Sequence, residues 1–281
     1  TGGGLPAGWR PSIRRAIDAG LDVVSGLHFM LGEDPEFAGA ARRSGAQLFD
    51  VRRPPDSLPV ASMIERRPDA RVIIFVGSDC AVGKMTAALQ VTEAAERSGL
   101  RSAFVATGQT GIMLQGSGIA VDRVIGDFMA GAIEQLVHQA AQQADWVFVE
   151  GQGSLLHPGY SGVTLGLLHG SLPDGMILVH APSLQQIEGY PVPIPALDRL
   201  IEIYQEAAGW VKPAPVIGIA LNTRDLDAQQ TRDAISRAEQ LTGLPATDPI
   251  KFGGEKLLEG LKMLAPHGRT GVPVHRGESR R

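Results

Sequence analysis

The stretch that most constrains the fold is residues 72–86, VIIFVGSDCAVGKMT. Its first five residues form a continuous apolar run, which is typical of a strand buried on both faces of a parallel sheet. Gly77, Gly83 and Lys84 follow in the order of a phosphate-binding loop, where backbone N–H groups, a helix start and a lysine face an anion. The segment therefore predicts a strand, a phosphate-binding loop (P-loop) and a helix in succession.

This loop departs from the common pattern at two places. Five residues, 78–82, separate its glycines where the common motif has four, and Met85 lies where a serine or threonine would contact magnesium. A thioether is a poor ligand for this hard cation. We therefore expect the loop to bind a nucleotide phosphate. Met85 argues against binding of Mg-ATP and against phosphoryl transfer from it. The alternative is a turn in which the glycines serve only to avoid steric overlap. The predicted cofactor-binding residues here are Gly77, Asp79, Gly83, Lys84, Met85 and Thr86.

Strand-like and helical patterns alternate along the chain and predict an α/β fold with a mainly parallel sheet. A polar, proline-containing connection separates a partial Rossmann-like domain at 1–70 from a doubly wound P-loop NTPase-like domain at 71–281. The predicted strands are 21–25, 47–51, 72–76, 102–106, 146–150, 176–180 and 216–221. The predicted helices are 11–19, 35–44, a short one at 63–64, 84–98, 124–141, 196–208, 228–242 and 255–264.

Composition and charge narrow the function classes. A hydrophobic content of 43% supports a buried core, and the formal charge of −4 with no basic run longer than a pair (Arg280 and Arg281) argues against a nucleic-acid partner. No apolar run approaches the roughly 20 residues of a membrane helix. The single cysteine, Cys80, fits a reducing compartment, so we expect a cytoplasmic protein with small-molecule substrates.

Ligands bind at the carboxyl ends of strands in such sheets, which directs attention to the segments after each strand. Glu150 ends one apolar strand and is a candidate base or metal ligand, or only a cap; two glycines, Gly151 and Gly153, follow it. His157 lies in a long glycine-rich connection, and such connections are often functional. Asn222 ends another strand and is placed to contact a nucleotide base. The predicted substrate-binding residues are Gln109, Thr110, Arg123, Asp127, Gln152 and Arg224.

These blocks together resemble the D-glutamate N-acetyltransferase family. The resemblance rests on GSDCAVGKMT, VEGQGSLLHPGYSGVTLGLLHG and IALNT, preceded by GLDVVSGLH and DVRRPP, and runs from Gly4 to about Lys262. It implies a Rossmann-like domain joined to a P-loop domain similar to dethiobiotin synthetase. Thr1 is not a methionine, and the first strand and helix of the family's N-terminal domain are missing, so we expect a trimmed or incomplete N-terminal domain.

The resemblance implies transfer of an acetyl group from acetyl-CoA to the amino group of D-glutamate, with no metal. The loop would then hold the pyrophosphate of the coenzyme. From their positions, Glu150 and His157 are the candidate catalytic bases, and Arg123 or Arg224 would bind substrate carboxylates. An ATP-dependent synthetase and a nucleotide-binding regulatory module are the alternatives. A homo-oligomer is expected, because a short N-terminal domain gains stability on a partner subunit.

Overall fold

The computed structural model describes residues 3–264, so Thr1 and the end of the predicted domain 71–281, with Arg280 and Arg281, lie outside it. The chain is α/β, as predicted. The strands are β1 Val23–Ser25, β2 Leu48–Asp50, β3 Arg71–Gly77, β4 Ser102–Val105, β5 Trp146–Val149, β6 Gly175–His180, β7 Val216–Leu221 and β8 Ala246–Thr247. The α-helices are α1 Arg10–Asp18, α2 Pro35–Ser44, α3 Lys84–Arg97, α4 Gln109–Gln115, α5 Gly126–Gln143, α6 Ser161–Ser171, α7 Leu197–Gly209 and α8 Ala228–Thr242.

The N-terminal part is a small layer of two parallel strands, β1 and β2, covered by α1 and α2. Asp34 caps α2 by accepting the N–H groups of Glu36 and Phe37, and Gly45 ends the helix in the left-handed region. The helices pack over a separate apolar core that contains Ile17 and Phe37. This layer brings the ends of β1 and β2 toward the larger sheet.

The larger sheet has six parallel strands in the order β4-β5-β3-β6-β7-β8. β3 lies inside it and is buried from Val72 to Gly77, which confirms the strand expected from the apolar run. Apolar cores cover both faces of the sheet. The carboxyl ends of β3, β4, β5 and β7 lie at one edge, so the segments after them share one region.

Several element predictions differ from the structure. The short helix expected at 63–64 is absent, because the buried carboxylate of Glu134 accepts the N–H groups of Ser62 and Ile64 at 2.9 Å each, and Met63 between them has a left-handed φ of 57°. The expected C-terminal helix is a 3₁₀ helix, Glu255–Met263. The helices α4 and α6 and the short strand β8 were not predicted, nor were the 3₁₀ turns Ala7–Trp9, Leu31–Glu33 and Val121–Arg123. No helix among residues 3–264 has the length and apolarity that crossing a membrane requires.

Candidate functional site

The P-loop joins β3 to α3 and buries its lysine. Lys84 is 6% exposed, and its Nζ donates a hydrogen bond to the carbonyl oxygen of Asp79 at 2.7 Å. Burial lowers the pKa of Lys84 to about 8, against the opposing effect of Cys80, Asp79 and Glu150. The loop therefore holds a buried ammonium group that an anion would stabilise.

Two buried contacts fix the shape of this loop. The Asp79 carboxylate accepts the N–H of Cys80 at 2.6 Å and the N–H of Glu188 at 2.7 Å. The hydroxyl of Tyr204 donates to the carbonyl oxygen of Gly77 at 2.6 Å and accepts the N–H of Leu155 at 3.2 Å, which ties the P-loop to the segment after β5. The Asp79 side chain thus holds the loop and does not line the cleft described below.

Glu150 follows β5 directly in the chain, and its side chain lies against the N-terminal end of helix α4. It is 3% exposed, and its Oε2 accepts the N–H groups of Thr107 at 2.8 Å and Gly108 at 3.0 Å. Burial raises the pKa of Glu150, and these bonds, together with Gln152 and Lys84, oppose that rise. A Cβ at Gly111 would overlap this same oxygen, so helix α4 is packed closely on the carboxylate. Glu150 is a preorganised carboxylate with raised basicity beside a lysine.

A cleft of about 570 Å³ opens over the P-loop and Glu150. Arg52 and His28 of the N-terminal part line its opposite wall, and both contact the carboxylate of Asp122; the ring Nε2 of His28 is 3.5 Å away from it. Arg52 is buried, and its Nε donates to the carbonyl oxygen of Gly26 at 2.7 Å. The cleft therefore places cationic and carboxylate side chains from distant parts of the chain around one space. Its other lining residues include Cys80, Gly83, Lys84, Met85, Thr86, Gln109, Gln152 and Tyr160.

A second, narrower slot of about 190 Å³ adjoins the first and shares Gly83 and Thr86 with it. Apolar side chains of β6 and β7 line it, together with the turn 248–251. Asn222 lines the slot and donates from Nδ2 to the carbonyl oxygen of Val82 at 3.2 Å. A flat, apolar ring next to a P-loop fits this geometry.

His157 is buried beneath the cleft rather than exposed in it. It is 4% exposed, stacks on Tyr160 with ring centroids 4.5 Å apart, and meets the edge of Tyr190 at 5.0 Å. Its Nδ1 accepts the N–H of Gly159 at 3.1 Å. One ring nitrogen, the Cys80 sulfur and an Asp79 carboxylate oxygen lie within 4.8 Å of one another. These donor types could hold a metal ion or serve a nucleophile and its base.

The remaining predicted residues are spread over different places. Gln109 and Gln152 line the cleft, and Gln152 Nε2 donates to the hydroxyl of Thr107 at 3.4 Å. Arg224 lies at the rim of the slot with a side chain that is 76% exposed. Arg123 lines a separate pocket. Thr110 and Asp127 are exposed on α4 and α5 and line neither the cleft nor the slot.

Gly151 lines the cleft and is also packed closely within the sheet. A Cβ there would overlap the carbonyl oxygen of Phe75 in the neighbouring strand, so the sheet itself requires a glycine at this position. Arg52, His28 and Asp122 were not predicted as cleft residues, and Cys80 was interpreted only as a sign of the redox compartment.

Two family models match the chain. The first, described as the domain of unknown function DUF1611_N, a Rossmann-like domain, matches residues 1–54. The second, DUF1611_C, a P-loop domain, matches residues 59–258. The two-part architecture implied by the resemblance is confirmed.

The chain is also similar to proteins with a named activity. A D-glutamate N-acetyltransferase of Tritonibacter scottomollicae is 38% identical over 262 residues, 92% of this chain and 78% of that protein. A D-glutamate N-acetyltransferase of a Pseudoalteromonas species is 36% identical over 263 residues, 93% of this chain and 78% of that protein. The crystal structure of a DUF1611 family protein from Anabaena variabilis is 41% identical with a TM-score of 0.88, covering 94% of this chain and 77% of that one.

Proposed function

The chain belongs to the DUF1611 family, and from its similarity to two D-glutamate N-acetyltransferases along most of its length we propose that it acetylates the amino group of D-glutamate with acetyl-CoA. The observation that carries this proposal is the similarity to two proteins of that activity over more than nine-tenths of the chain. The cleft supplies the groups that such a transfer needs.

The donor fits the two adjoining spaces. Acetyl-CoA carries an adenine ring, a pyrophosphate and a long arm that ends in the thioester. We place the ring in the apolar slot beside Asn222, the pyrophosphate on Gly83 and Lys84, and the thioester in the cleft near Glu150. Arg224 at the slot rim adds a positive charge for the third phosphate of the coenzyme.

The loop also supports a donor other than Mg-ATP. Met85 lines the cleft at the position where a hydroxyl would contact magnesium, and its sulfur is a poor ligand for that ion. A pyrophosphate that is bound but never cleaved needs no such ligand. This favours the acetyltransferase over the ATP-dependent synthetase.

The acceptor, D-glutamate, needs a base for its amino group and cationic partners for its two carboxylates. The α-ammonium group of D-glutamate must lose a proton before the nitrogen can attack, and Glu150 is the carboxylate of raised basicity in the cleft. Arg52 and His28 on the opposite wall suit the substrate carboxylates. Glu150 and Lys84 on one wall and Arg52 on the other would hold amine and carboxylates apart.

One assay separates the candidate functions. Release of free thiol from acetyl-CoA is measured with D-glutamate, with L-glutamate and with no acceptor, in parallel with phosphate release from Mg-ATP. We expect fast thiol release with D-glutamate and no phosphate release. Phosphate release without thiol release would support the synthetase, and binding of either nucleotide without turnover would support a regulatory module.

Arg52 is expected to bind a substrate carboxylate. Replacing Arg52 by glutamine should raise KM for D-glutamate about 10- to 100-fold, since a charge-assisted hydrogen bond contributes about 1.5–3 kcal/mol. The affinity for acetyl-CoA, measured by calorimetry, should stay the same. Arg53→Gln is the matched control: Arg53 is the next residue, half-exposed, and contacts Glu33 at 3.2 Å outside the cleft. Equal losses for donor and acceptor in the Arg52 variant would contradict this role.

A further inference from the structure

Resting on the proposed function, we infer that Asp122 is an internal substitute for a carboxylate of the acceptor, and that D-glutamate displaces it from Arg52 on binding. The carboxylate of Asp122 lies at the cleft in contact with Arg52 and His28, the two side chains assigned above to the substrate carboxylates. Asp122 therefore competes with the acceptor and lowers its affinity.

Asp122 already occupies part of the Arg52 guanidinium. Such a group binds a carboxylate most strongly through two parallel N–H donors. In Arg52, Nη1 donates to Oδ2 of Asp122, and Nε donates to the carbonyl oxygen of Gly26 at 2.7 Å. Its Nη2 has no hydrogen-bond partner within residues 3–264. A second carboxylate can reach Nη2 while Asp122 stays in place, but a contact with both Nη1 and Nη2 requires Asp122 to leave.

Arg52 does not depend on Asp122 for its position. The Arg52 side chain is 10% exposed, and the hydrogen bond from Nε to Gly26 fixes it to the N-terminal part of the chain. A buried cation costs free energy unless an anion lies close to it. Asp122 supplies that anion before the acceptor binds, and a substrate carboxylate would supply it afterwards. Asp122 thus neutralises Arg52 rather than orienting it.

The Asp122 side chain is free to leave while its backbone stays in place. Asp122 lies in the 3₁₀ turn Val121–Arg123, and Val121 is fully buried with its N–H donating to the carbonyl oxygen of Thr107 at 3.0 Å. The side chain of Asp122, by contrast, is 34% exposed, so water can solvate its carboxylate after it has left Arg52. Rotation of one side chain is therefore enough to free the guanidinium group.

Glutarate is the probe for the test, because this dicarboxylate has no amino group and can bind without reacting. In Asp122→Asn, the amide oxygen can still accept a hydrogen bond from Nη1, but the contact is no longer charge-assisted and is easier to displace. The Kd of glutarate, measured by calorimetry, and the KM of D-glutamate should both fall about 5- to 10-fold. The affinity for acetyl-CoA should stay the same.

Thermal unfolding and a double variant give two further measurements. Asp122→Asn leaves the buried Arg52 cation less well compensated, so it should melt below the wild type and gain more from a fixed concentration of glutarate. In the background of Arg52→Gln, where no cation remains to be neutralised, adding Asp122→Asn should not lower the Kd of glutarate further. A gain that persists in the double variant would overturn the proposal.

Asp18→Asn is the matched control. Asp18 forms an ion pair with Arg14 at 2.8 Å on α1, outside the cleft, so its substitution removes the same charge and the same kind of contact. Neither the Kd of glutarate nor the KM of D-glutamate should change. An equal gain in Asp18→Asn would assign the effect to net charge and would overturn the role of Asp122.

Two remaining outcomes separate this inference from the proposed function. An unchanged or higher Kd of glutarate in Asp122→Asn would overturn the competition, and a higher value would make Asp122 a residue that positions Arg52. Absence of acetyl transfer by the wild type with D-glutamate would overturn the proposed function. Binding of glutarate does not depend on acetyl transfer, so the two failures are distinguishable.

Discussion

Replacing Glu150 by glutamine is expected to lower kcat about 10²- to 10⁴-fold, the range that a positioned general base contributes. Glutamine keeps an oxygen that can accept the N–H groups of Thr107 and Gly108, but it cannot take the proton of the substrate ammonium. The wild-type rate should also fall as the pH drops through the raised pKa of Glu150. That acidic limb should be missing from the residual activity of the variant, which steady-state kinetics over a pH series would measure.

The stability of the Glu150 variant separates a catalytic from a structural role. Burial raises the folded-state pKa of this carboxyl above its unfolded value, so its contribution to the unfolding free energy is fully present below the unfolded pKa. That contribution is lost as the pH rises through the folded pKa. At neutral pH glutamine should therefore leave the melting temperature unchanged or higher, and a large decrease would indicate that lost activity reflects lost structure.

Glu134 offers a matched control. It is also a buried glutamate, 6% exposed, whose oxygens accept the N–H groups of Ser62 and Ile64, but it lies on α5 outside the cleft. Glu134→Gln should leave kcat within about twofold of wild type. A loss as large as that of Glu150→Gln would mean that the effect comes from disturbing a buried carboxylate in general.

The parts of the site that could be predicted are those that a single strand delivers. The P-loop follows β3, Glu150 follows β5 and Asn222 follows β7, and each strand is an apolar run that a short window of sequence reveals. Because parallel strands share one carboxyl edge, their end residues come together without further information.

The opposite wall of the cleft could not be predicted in this way. Arg52 and Asp122 are 70 positions apart, and their contact depends on how the small layer of β1 and β2 packs on the larger sheet. No periodicity in either segment indicates that contact. The polar and proline residues around Arg52 instead suggested a plain connection.

Helix α6 was missed because its glycines weaken the helix signal. The glycines are there for packing: a Cβ at Gly170 would overlap the carbonyl oxygen of Ala130, and one at Gly166 would meet the Met129 side chain at 2.5 Å. α6 therefore lies close against α5, and the tertiary contact offsets the low intrinsic preference. Helix propensity describes an isolated segment, so it does not include the packing of α6 on α5 that stabilises this helix.

Replacing Lys84 by methionine is expected to weaken acetyl-CoA binding about 10- to 100-fold and, at the same time, to stabilise the protein at pH 7. The binding loss follows from removing a charge-assisted contact to the pyrophosphate, which contributes about 1.5–3 kcal/mol. The stability gain follows from burial, which lowers the pKa of Lys84 from 10.5 to about 8. Keeping the buried lysine charged at pH 7 therefore costs about 3 kcal/mol of folding free energy. The hydrogen bond from its Nζ to the carbonyl oxygen of Asp79 offsets part of that cost.

The lowered pKa of Lys84 also makes the free energy of unfolding of the wild type depend on pH. Between pH 8 and 10.5 the unfolded lysine binds a proton that the folded one has lost, so the stability of the wild type rises with pH in that window. The advantage of Lys84→Met should shrink over the same range, as denaturant unfolding at pH 7, 9 and 10.5 would measure. A constant or negative difference would contradict the buried, destabilising ammonium.

Lys212 is the control that tests whether the effect belongs to Lys84. Burial lowers the pKa of Lys212 as well, but its Nζ forms a salt bridge with Asp174 at 2.6 Å, far from the P-loop in the sequence and outside the cleft. Lys212→Met should leave acetyl-CoA binding unchanged, because Lys212 lies outside the cleft. A binding loss in Lys84→Met alone would show that the anionic ligand contacts the P-loop lysine and not buried lysines in general.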